Sequence, residues 1–367
     1  MINLNDYGYI ETEAPTEGLI AGRVVEFRRD SYAVITAYGE ISAVLKGAFV
    51  HDAVVRADLP CVGDFVLLQY NESGVSRIEK LLPRRSKFSR ADFSGHGYAH
   101  IKANREQVVA TNFDYVFIVT SLNRDFRVNR ILRYLTQTRG SGGQPVVILT
   151  KSDLAENFDT QINEVKAVAA DVPVHAISSH TGFGIDALNE YLQPSKTVVF
   201  LGMSGVGKSS LLNVLAGEDI MIVRETRKED ESKGGHTTTH RQLFMLPSGA
   251  MIIDTPGMRE LGLYDAEESI SAGFSDVEDL FAKCRFKDCQ HQSEPNCAVQ
   301  EALANGTLPN SRWEQYQNQS RENKYFENKT AFIRERTEMY KAWKKNHKGE
   351  QKAARKLGSK KNNKYVK

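Results

Sequence analysis

The chain has 367 residues, of which 41% are hydrophobic and 26% are charged, and its formal net charge is +2. This length allows two or three domains with cores of their own, and the composition is that of a globular protein. No apolar run approaches the roughly 18 residues of a membrane span, and the N-terminus lacks a basic segment followed by an apolar one. We therefore expect a cytoplasmic protein with no membrane partner.

The charge is unevenly distributed along the chain. From Lys341 to Lys367 there are eleven Lys or Arg and one acid, so this segment carries +10 and the other 340 residues carry −8. A basic tail on an otherwise acidic protein is typical of a chain that binds a polyanion. A solvated, disordered terminus explains the same composition equally well.

Residues from about 18 to 82 contain short β-rich runs separated by glycine and asparagine. Five short strands suit a small barrel such as an OB-fold, which commonly binds single-stranded nucleic acid, and we assign it residues 1–85. An SH3-like barrel or a purely structural module fits nearly as well. We interpret residues 86–111, which continue the basic stretch Pro83–Arg90, as a linker that either touches RNA phosphates or is simply solvated.

From Asn112 onwards, β-branched runs alternate with amphipathic helices. This pattern predicts a doubly wound, mostly parallel sheet over residues 112–273, in which ligands bind at the carboxyl ends of the strands. The predicted strands are Tyr115–Thr120, Pro145–Thr150, Val172–Ile177, Lys196–Leu201, Gln242–Leu246 and Ala250–Asp254.

A phosphate-binding loop follows the fourth of these strands, because Gly202, Gly207, Lys208 and Ser209 fit the pattern G-x-x-x-x-G-K-[ST] between a strand and a helix. Backbone N–H groups would converge on phosphate oxygens, Lys208 would reach the β- and γ-phosphates, and Ser209 would bind Mg²⁺. We expect the phosphates to contact Gly202, Met203, Ser204, Gly205, Val206, Gly207, Lys208, Ser209 and Ser210.

Two further motifs indicate that the nucleotide is GTP. The first, Thr150-Lys151-Ser152-Asp153, is similar to the Asn-Lys-x-Asp motif of GTPases. The carboxylate of Asp153 can accept hydrogen bonds from guanine N1–H and the N2 amine, a pair of donors that adenine lacks, and Lys151 would lie along the base. Since Thr replaces Asn at the first position, a hydroxyl could only partly replace the contact that Asn makes.

The second motif, Ser178-Ser179-His-Thr-Gly182, resembles the second base-contacting loop of GTPases. Either short motif alone would be weak evidence for guanine. Asp153 and the absence of a kinase lid pattern disfavour the competing hypothesis of an ATP-dependent kinase or ATPase.

Two candidate switch segments complete the site. Asp254-Thr-Pro-Gly257 could hold Mg²⁺ through water at Asp254 and sense the γ-phosphate at the Gly257 amide. The segment Gly234-Gly-His236-Thr237-Thr238-Thr239-His240 offers a hydroxyl for Mg²⁺, and its glycines allow it to order and release. We assign Thr237 and Thr238 to the nucleotide site and Thr238 to Mg²⁺, although the sequence does not distinguish the three threonines.

Catalysis must differ from that of Ras-like enzymes, because Met258 stands where they have the water-positioning Gln. We predict that His236 orients the attacking water. The alternatives are His240 and a group supplied by a bound partner. A purely structural role for His236 is a further alternative. Met258 also supports a different hypothesis, an RNA-binding assembly factor in which GTP is a structural ligand.

The order of the motifs is that of a circularly permuted GTPase, because the two base motifs precede the phosphate loop. Whatever follows Gly257 is then attached directly to the switch. The chain resembles the circularly permuted bacterial GTPases of the ribosome-small-subunit-dependent GTPase A family, and this resemblance covers almost its whole length. It implies an N-terminal OB-fold, a zinc-binding C-terminal domain, and stimulation of hydrolysis by the 30S subunit during its late maturation.

Cys284, Cys289, His291 and Cys297 lie within fourteen residues and supply the Cys₃His set of a structural zinc site, which we place in a helical module over residues 274–345. Buried cysteines without metal are the alternative. The basic tail, residues 346–367, would contact RNA phosphates. We therefore expect GTP or GDP, Mg²⁺, one zinc ion, the 30S subunit and its 16S rRNA as partners of a monomer.

Overall fold

A computed structural model describes residues 1–10, 18–28, 31–53, 56–91, 106–123, 126–219, 241–254 and 267–325. Within these ranges, every helix is too short or too polar to cross a bilayer. The described part contains an N-terminal barrel, a nucleotide domain and a helical C-terminal module. The multidomain α/β fold class predicted from the sequence is confirmed.

The barrel closes through five strands, β1 to β5. Strand β1 pairs with both β2 and β4, β3 pairs with β5 in parallel, and β4 pairs with β5, so the order around the barrel is 1-2-3-5-4-1. This is an OB-like closed barrel of five strands. The strands are β1 (Ile20–Arg28), β2 (Ser31–Thr36), β3 (Gly39–Leu45), β4 (Phe65–Gln69) and β5 (Ser76–Leu81), with helix α1 (Gly47–Asp52) between β3 and β4.

Residues 86–111, predicted to be a linker, contain strands near both ends. β6 (Lys87–Ala91) and β7 (Glu106–Thr111) form a separate antiparallel pair, and all six residues of β7 are buried. Residues 92–105 lie outside the described ranges. The described ends of this segment are therefore part of the packed structure, and a linker in the sense of a solvated connection does not describe them.

The nucleotide domain is built on a sheet in the order β10-β9-β8-β11-β13-β12, in which only β12 is antiparallel to its neighbour. The six predicted strands are present, with ends that differ by up to two residues. They are β8 (Tyr115–Ser121), β9 (Gln144–Thr150), β10 (Val174–Ala176), β11 (Thr197–Leu201), β12 (Gln242–Met245) and β13 (Met251–Asp254).

Helices cover this sheet on both faces. They are α2 (Val128–Arg139), α3 (Asp159–Val168) and α4 (Lys208–Ala216), and a 3-10 helix spans Ile185–Glu190 where the sequence predicts a helix. Apolar side chains of the central strands face both layers, since Phe117 and Val198 pack in one core cluster and Val116 and Val199 in the other. Near-continuous burial of β11 is expected for a parallel strand covered on both sides.

The C-terminal module consists of short helices with their own core. They are α5 (Glu267–Gly273), α6 (Ser275–Phe281) and α7 (Ala298–Ala304), followed by helical residues 310–325. Buried Phe274, Val277, Val299 and Trp313 belong to a core cluster whose described members all lie in residues 267–325. Helix α5 therefore belongs to this module, although the sequence pattern placed residues up to 273 in the nucleotide domain. Helix α5 packs on α2, which connects this module to the nucleotide sheet.

Candidate nucleotide and metal sites

The phosphate loop joins the end of β11 to the first turn of α4. Gly202 needs its missing side chain, since a Cβ there would lie 2.3 Å from the carbonyl oxygen of Val119 on neighbouring β8. Gly205 (φ 82°) and Gly207 (φ 99°) adopt the left-handed conformation that glycine alone adopts readily. The loop can therefore present backbone N–H groups at the N-terminus of a nine-residue helix, where the helix dipole favours an anion.

Lys208 lies inside this loop. Its Nζ donates hydrogen bonds to the carbonyl oxygens of Gly202 (2.8 Å) and Met203 (2.7 Å). Burial lowers the pKa of Lys208 to about 8, and the nearby carboxylate of Asp254 opposes the shift. The ammonium group therefore lies in the concavity of the loop, where a triphosphate would be a stronger partner than two carbonyls.

The remaining phosphate-loop residues have the exposure that such a site requires. Ser204 and Gly205 are exposed at the tip, Val206 is buried in the core, and Met203, Gly207, Ser209 and Ser210 are half-buried. The loop thus has an apolar anchor on one side and an accessible polar rim on the other.

The base motif adopts a fixed position next to the phosphate loop. Lys151, at φ 61°, donates from Nζ to the carbonyl oxygen of Gly205 (2.9 Å). The hydroxyl of Thr150 lies 2.5 Å from the carbonyl oxygen of Val206 and 3.2 Å from that of Thr120. Because the hydroxyl has one proton, it donates to the nearer oxygen, and Thr150 ties the base motif to the phosphate loop. The sequence left this contact open.

The second predicted base loop holds the carboxylate of Asp153, which the sequence predicts to recognise guanine. Ser178 is buried, and its hydroxyl donates to Oδ1 of exposed Asp153 at 2.5 Å while accepting from the N–H groups of His180 and Thr181. Ser178 therefore orients Asp153. The hydroxyl oxygen of Ser179 is buried and has no hydrogen-bond partner among the described residues. Ser152 is buried beneath the loop.

The structure brings together the phosphate loop, both base motifs and Asp254. Asp254 ends β13 at the same edge of the sheet and is buried. The predicted residues Gly257, Met258 and His236 to His240, including Thr237 and Thr238, lie outside the described ranges. The main groups that sequence reasoning missed are the carbonyl oxygens of Thr120 and Val206. They are backbone groups, for which a sequence carries no signal.

The four predicted metal ligands converge. Their ligand atoms lie within 4.8 Å of one another, and this group includes Cys284, Cys289, His291 and Cys297. The Sγ atoms of Cys284 and Cys297 are 4.0 Å apart, and each is 3.6 Å from Nδ1 of His291. A tetrahedral zinc ion with bonds of about 2.3 Å to sulfur keeps its ligand atoms roughly 3.5–3.8 Å apart. The donor set and its spacing therefore fit zinc.

The surroundings of the cluster fix the imidazole. Phe281 stacks on His291 with ring centroids 4.3 Å apart, and Trp313 meets its edge at 5.9 Å. Gln300 Nε2 donates to the carbonyl oxygen of His291 at 2.6 Å. All four cysteines of the chain are free thiols, so disulfides do not compete for the ligands.

Comparison with known proteins decides which family has this arrangement. A model of the RsgA GTPase family matches residues 81–264. The chain belongs to the RsgA GTPase family. A relative from Listeria innocua, "Small ribosomal subunit biogenesis GTPase RsgA 1", is 46% identical over 84% of this chain and 85% of its own length. One from Lactiplantibacillus plantarum, "Small ribosomal subunit biogenesis GTPase RsgA 2", is 42% identical over 88% and 90%.

Solved structures agree with this assignment. "Crystal structure of YjeQ from Thermotoga maritima" has a TM-score of 0.58 and 29% identity, with coverage of 82% of this chain and 96% of that one. YloQ, described as a circularly permuted GTPase, has the same fold at a TM-score of 0.53, 24% identity, and coverage of 87% and 96%. As a member of the RsgA GTPase family the chain is a GTP hydrolase with a permuted order of motifs. The competing kinase and ATPase hypotheses are thereby rejected.

Proposed function

We propose that this RsgA-family chain is a Mg²⁺-dependent GTPase that acts in late maturation of the 30S ribosomal subunit, binds its 16S rRNA, and hydrolyses GTP to GDP faster when the subunit is bound. The names of relatives with 40–46% identity over most of the chain carry this proposal. The structural support is the meeting of the phosphate loop with both base motifs at one sheet edge.

Guanine recognition follows from the base loops. The carboxylate of Asp153 would accept hydrogen bonds from N1–H and the N2 amine of guanine, and its contact with Ser178 fixes its direction. Lys151, anchored on the carbonyl oxygen of Gly205, would lie along the base. A site built to bind two donors discriminates against a base that lacks them, because the carboxylate would then lose both hydrogen bonds when the base covers it.

Phosphate binding falls to the loop and to Lys208. On binding GTP, Lys208 would exchange its two carbonyl contacts for the β- and γ-phosphates, and the backbone N–H groups of the loop would bind the α- and β-phosphates. Ser209, Thr238 and, through water, Asp254 would hold Mg²⁺. When bound, the ion supplies charge stabilisation at the transferred phosphoryl group.

Water activation is assigned to His236 on the sequence, since Met258 cannot orient a nucleophile. An imidazole can accept a hydrogen bond from the attacking water and hold it in line. If Gly257 senses the γ-phosphate, the C-terminal module attached behind it responds to the nucleotide state. One structural zinc ion, held by Cys284, Cys289, His291 and Cys297, would stabilise that module.

The experiment that tests these roles measures steady-state turnover and nucleotide affinity of His236→Ala and His240→Ala, with the parent chain as reference. We expect His236→Ala to lower turnover by about 10²-fold or more while GDP affinity stays within about twofold. Turnover of His236→Ala equal to that of the parent would contradict the assignment. A larger loss in His240→Ala would transfer the role to His240.

A further inference from the structure

Strand β1 belongs both to the barrel and to the nucleotide sheet. Its first half, Ile20–Arg23, pairs with β4 and closes the barrel, whereas Glu26 further along pairs with Gln242 of β12. The bulge between Val24 and Glu26 in the pairing with β2 marks the point where the strand changes partners. The two sheets are therefore one sheet of eleven strands.

The hydrophobic cores are continuous across the same strand. Val24 faces the barrel core, as successive side chains of a strand point to opposite faces, and Val25 packs in the core cluster of the nucleotide domain. Ala33 and Ile35 on β2 join Val25 there, together with Ile253 of β13. The outer wall of the barrel is thus part of the core of the nucleotide domain.

Arg23 lies at the centre of this junction and is fully buried. Within the described part of the chain no carboxylate accepts a hydrogen bond from its guanidinium. Burial lowers the pKa of Arg23 to about 9, so the group remains charged at neutral pH. Such a charge is tolerated only when its donors are satisfied. Nε donates to the carbonyl oxygen of Gly63 (3.3 Å) and Nη2 to that of Asn112 (2.9 Å). The two hydrogens of Nη1 are shared among the carbonyl oxygen of Tyr7 (2.6 Å), Oγ1 of Thr197 (3.0 Å) and Sδ of Met251 (3.1 Å).

These acceptors come from both sides of the junction. Tyr7 and Gly63 belong to the N-terminal region, and Asn112, Thr197 and Met251 to the nucleotide domain. Gly63 approaches β7 so closely that a Cβ on it would lie 2.1 Å from the carbonyl oxygen of Thr111. The planar guanidinium of Arg23 therefore joins segments that are far apart in the sequence. The ammonium group of a lysine, with three donors on one atom, cannot reproduce this geometry.

The strand that receives this junction, β12, and its partner β13 are each next to a candidate switch segment in the sequence. β12 starts two residues after His240, and its partner β13 ends at Asp254. We propose that Arg23 and strand β1 make the barrel and the nucleotide sheet one mechanical unit, through which an RNA on the barrel and the nucleotide state of the GTPase affect each other. The proposal rests on the proposed function. Because coupling between two sites is reciprocal, nucleotide binding must in turn alter the barrel.

Hydrogen exchange of the full-length chain tests this coupling in that reciprocal direction, with GDP and with a non-hydrolysable GTP analogue as probes. In the parent we expect the amide exchange rates of β12 to differ between the two nucleotides. We expect the rates of β1 and β2 to differ as well, by about threefold or more. In Arg23→Lys the response of β12 remains, and that of β1 and β2 falls to the level of experimental error.

Arg84→Lys is the matched control. The guanidinium of Arg84 donates to both carboxylate oxygens of Asp64 (2.8 and 2.7 Å) and to the carbonyl oxygens of Ala57 and Leu59. Unlike those of Arg23, these acceptors all lie in the N-terminal region. This variant keeps the parent's response. Thr197→Val removes one acceptor from the nucleotide side and provides a milder variant should Arg23→Lys fail to fold. We expect it to reduce the barrel's response.

Two results would overturn the inference. One is a parent in which β12 responds to the nucleotide and β1 and β2 do not. The other is a full response of the barrel in both Arg23→Lys and Thr197→Val. A parent with no response even at the phosphate loop would instead show that guanine nucleotides do not bind, and it would overturn the proposed function as well.

Discussion

The barrel and the zinc module are attached to the nucleotide domain in different ways. The barrel shares strand β1 and a hydrophobic core with the nucleotide sheet. The zinc module has a separate core, and its described contacts with α2 include an ion pair between Arg133 and Glu322 (2.6 Å) and a hydrogen bond between Gln315 and Asn129. The barrel therefore shares one sheet and one core with the nucleotide domain, whereas the zinc module keeps a core of its own and contacts that domain through α5 and the later helical residues on α2.

Removal of zinc should have the largest effect, and it should be confined to one region. We expect Cys297→Ala to lose the metal and to unfold residues 267–325, because structural zinc contributes an apparent ~10–16 kcal/mol in small modules. Metal analysis and hydrogen exchange measure the two effects. Cys61→Ala, which removes the buried cysteine outside the cluster, should keep one zinc per chain. Loss of protection in the barrel of Cys297→Ala would contradict the separation of the two cores.

Truncation of Val25 should weaken the barrel and the nucleotide domain together. Removing two methyl groups from a buried site costs about 1–3 kcal/mol, and the shared core should spread this loss over one cooperative transition in urea. Val24→Ala, at the neighbouring position in the barrel core, should shift the same transition. If Val24→Ala produced a separate barrel transition that GDP did not stabilise, the barrel would be an independent unit.

Loss of the Thr150 hydroxyl tests the nucleotide site, in the domain to which the barrel and the zinc module are attached. Thr150→Val keeps the shape but leaves the carbonyl oxygen of Val206 without this donor, and we expect GDP affinity to fall about tenfold, near the upper end of the net value of one hydrogen bond. Thr150→Ser keeps the donor and should bind GDP within about threefold of the parent. Titration with a fluorescent GDP analogue measures both. Equal affinities of the Val and Ser variants would assign Thr150 a packing role only.

The Arg133–Glu322 ion pair should have the smallest effect. Its side chains are 36% and 24% exposed, so solvent screens the pair and its coupling free energy should be about 0–1 kcal/mol. A double-mutant cycle with Arg133→Ala and Glu322→Ala measures this coupling. A value well above that range would contradict the view that solvent screens this pair.

Sequence patterns predicted the local features well. The phosphate loop, Asp153 and the cysteine cluster are short motifs whose spacing reflects local backbone geometry, and the structure places their described members at strand ends or around one point. The β-rich runs of the N-terminal region also predicted the strands of a small barrel, β1 among them. They could not show what covers the outer face of β1, so Val25 and Arg23 gave no sign of the junction.

Other differences have similar causes. Residues 86–111 looked like a linker because they are polar and basic, yet β6 and β7 pair across a separation that local patterns do not record. The helix predicted over Gly184–Leu192 is a 3-10 helix, a distinction that depends on hydrogen-bond geometry and not on apolar spacing.

The most direct test of the account is GTP hydrolysis by the purified chain with and without 30S subunits, with 50S subunits and ATP as controls. We expect stimulation by 30S subunits of about tenfold or more, within the range that partner-assisted GTPases reach, and little effect of 50S subunits or turnover of ATP. Tight GTP-dependent binding to 30S subunits without any stimulation would contradict a GTPase regulated by the small subunit and leave a binding factor in its place.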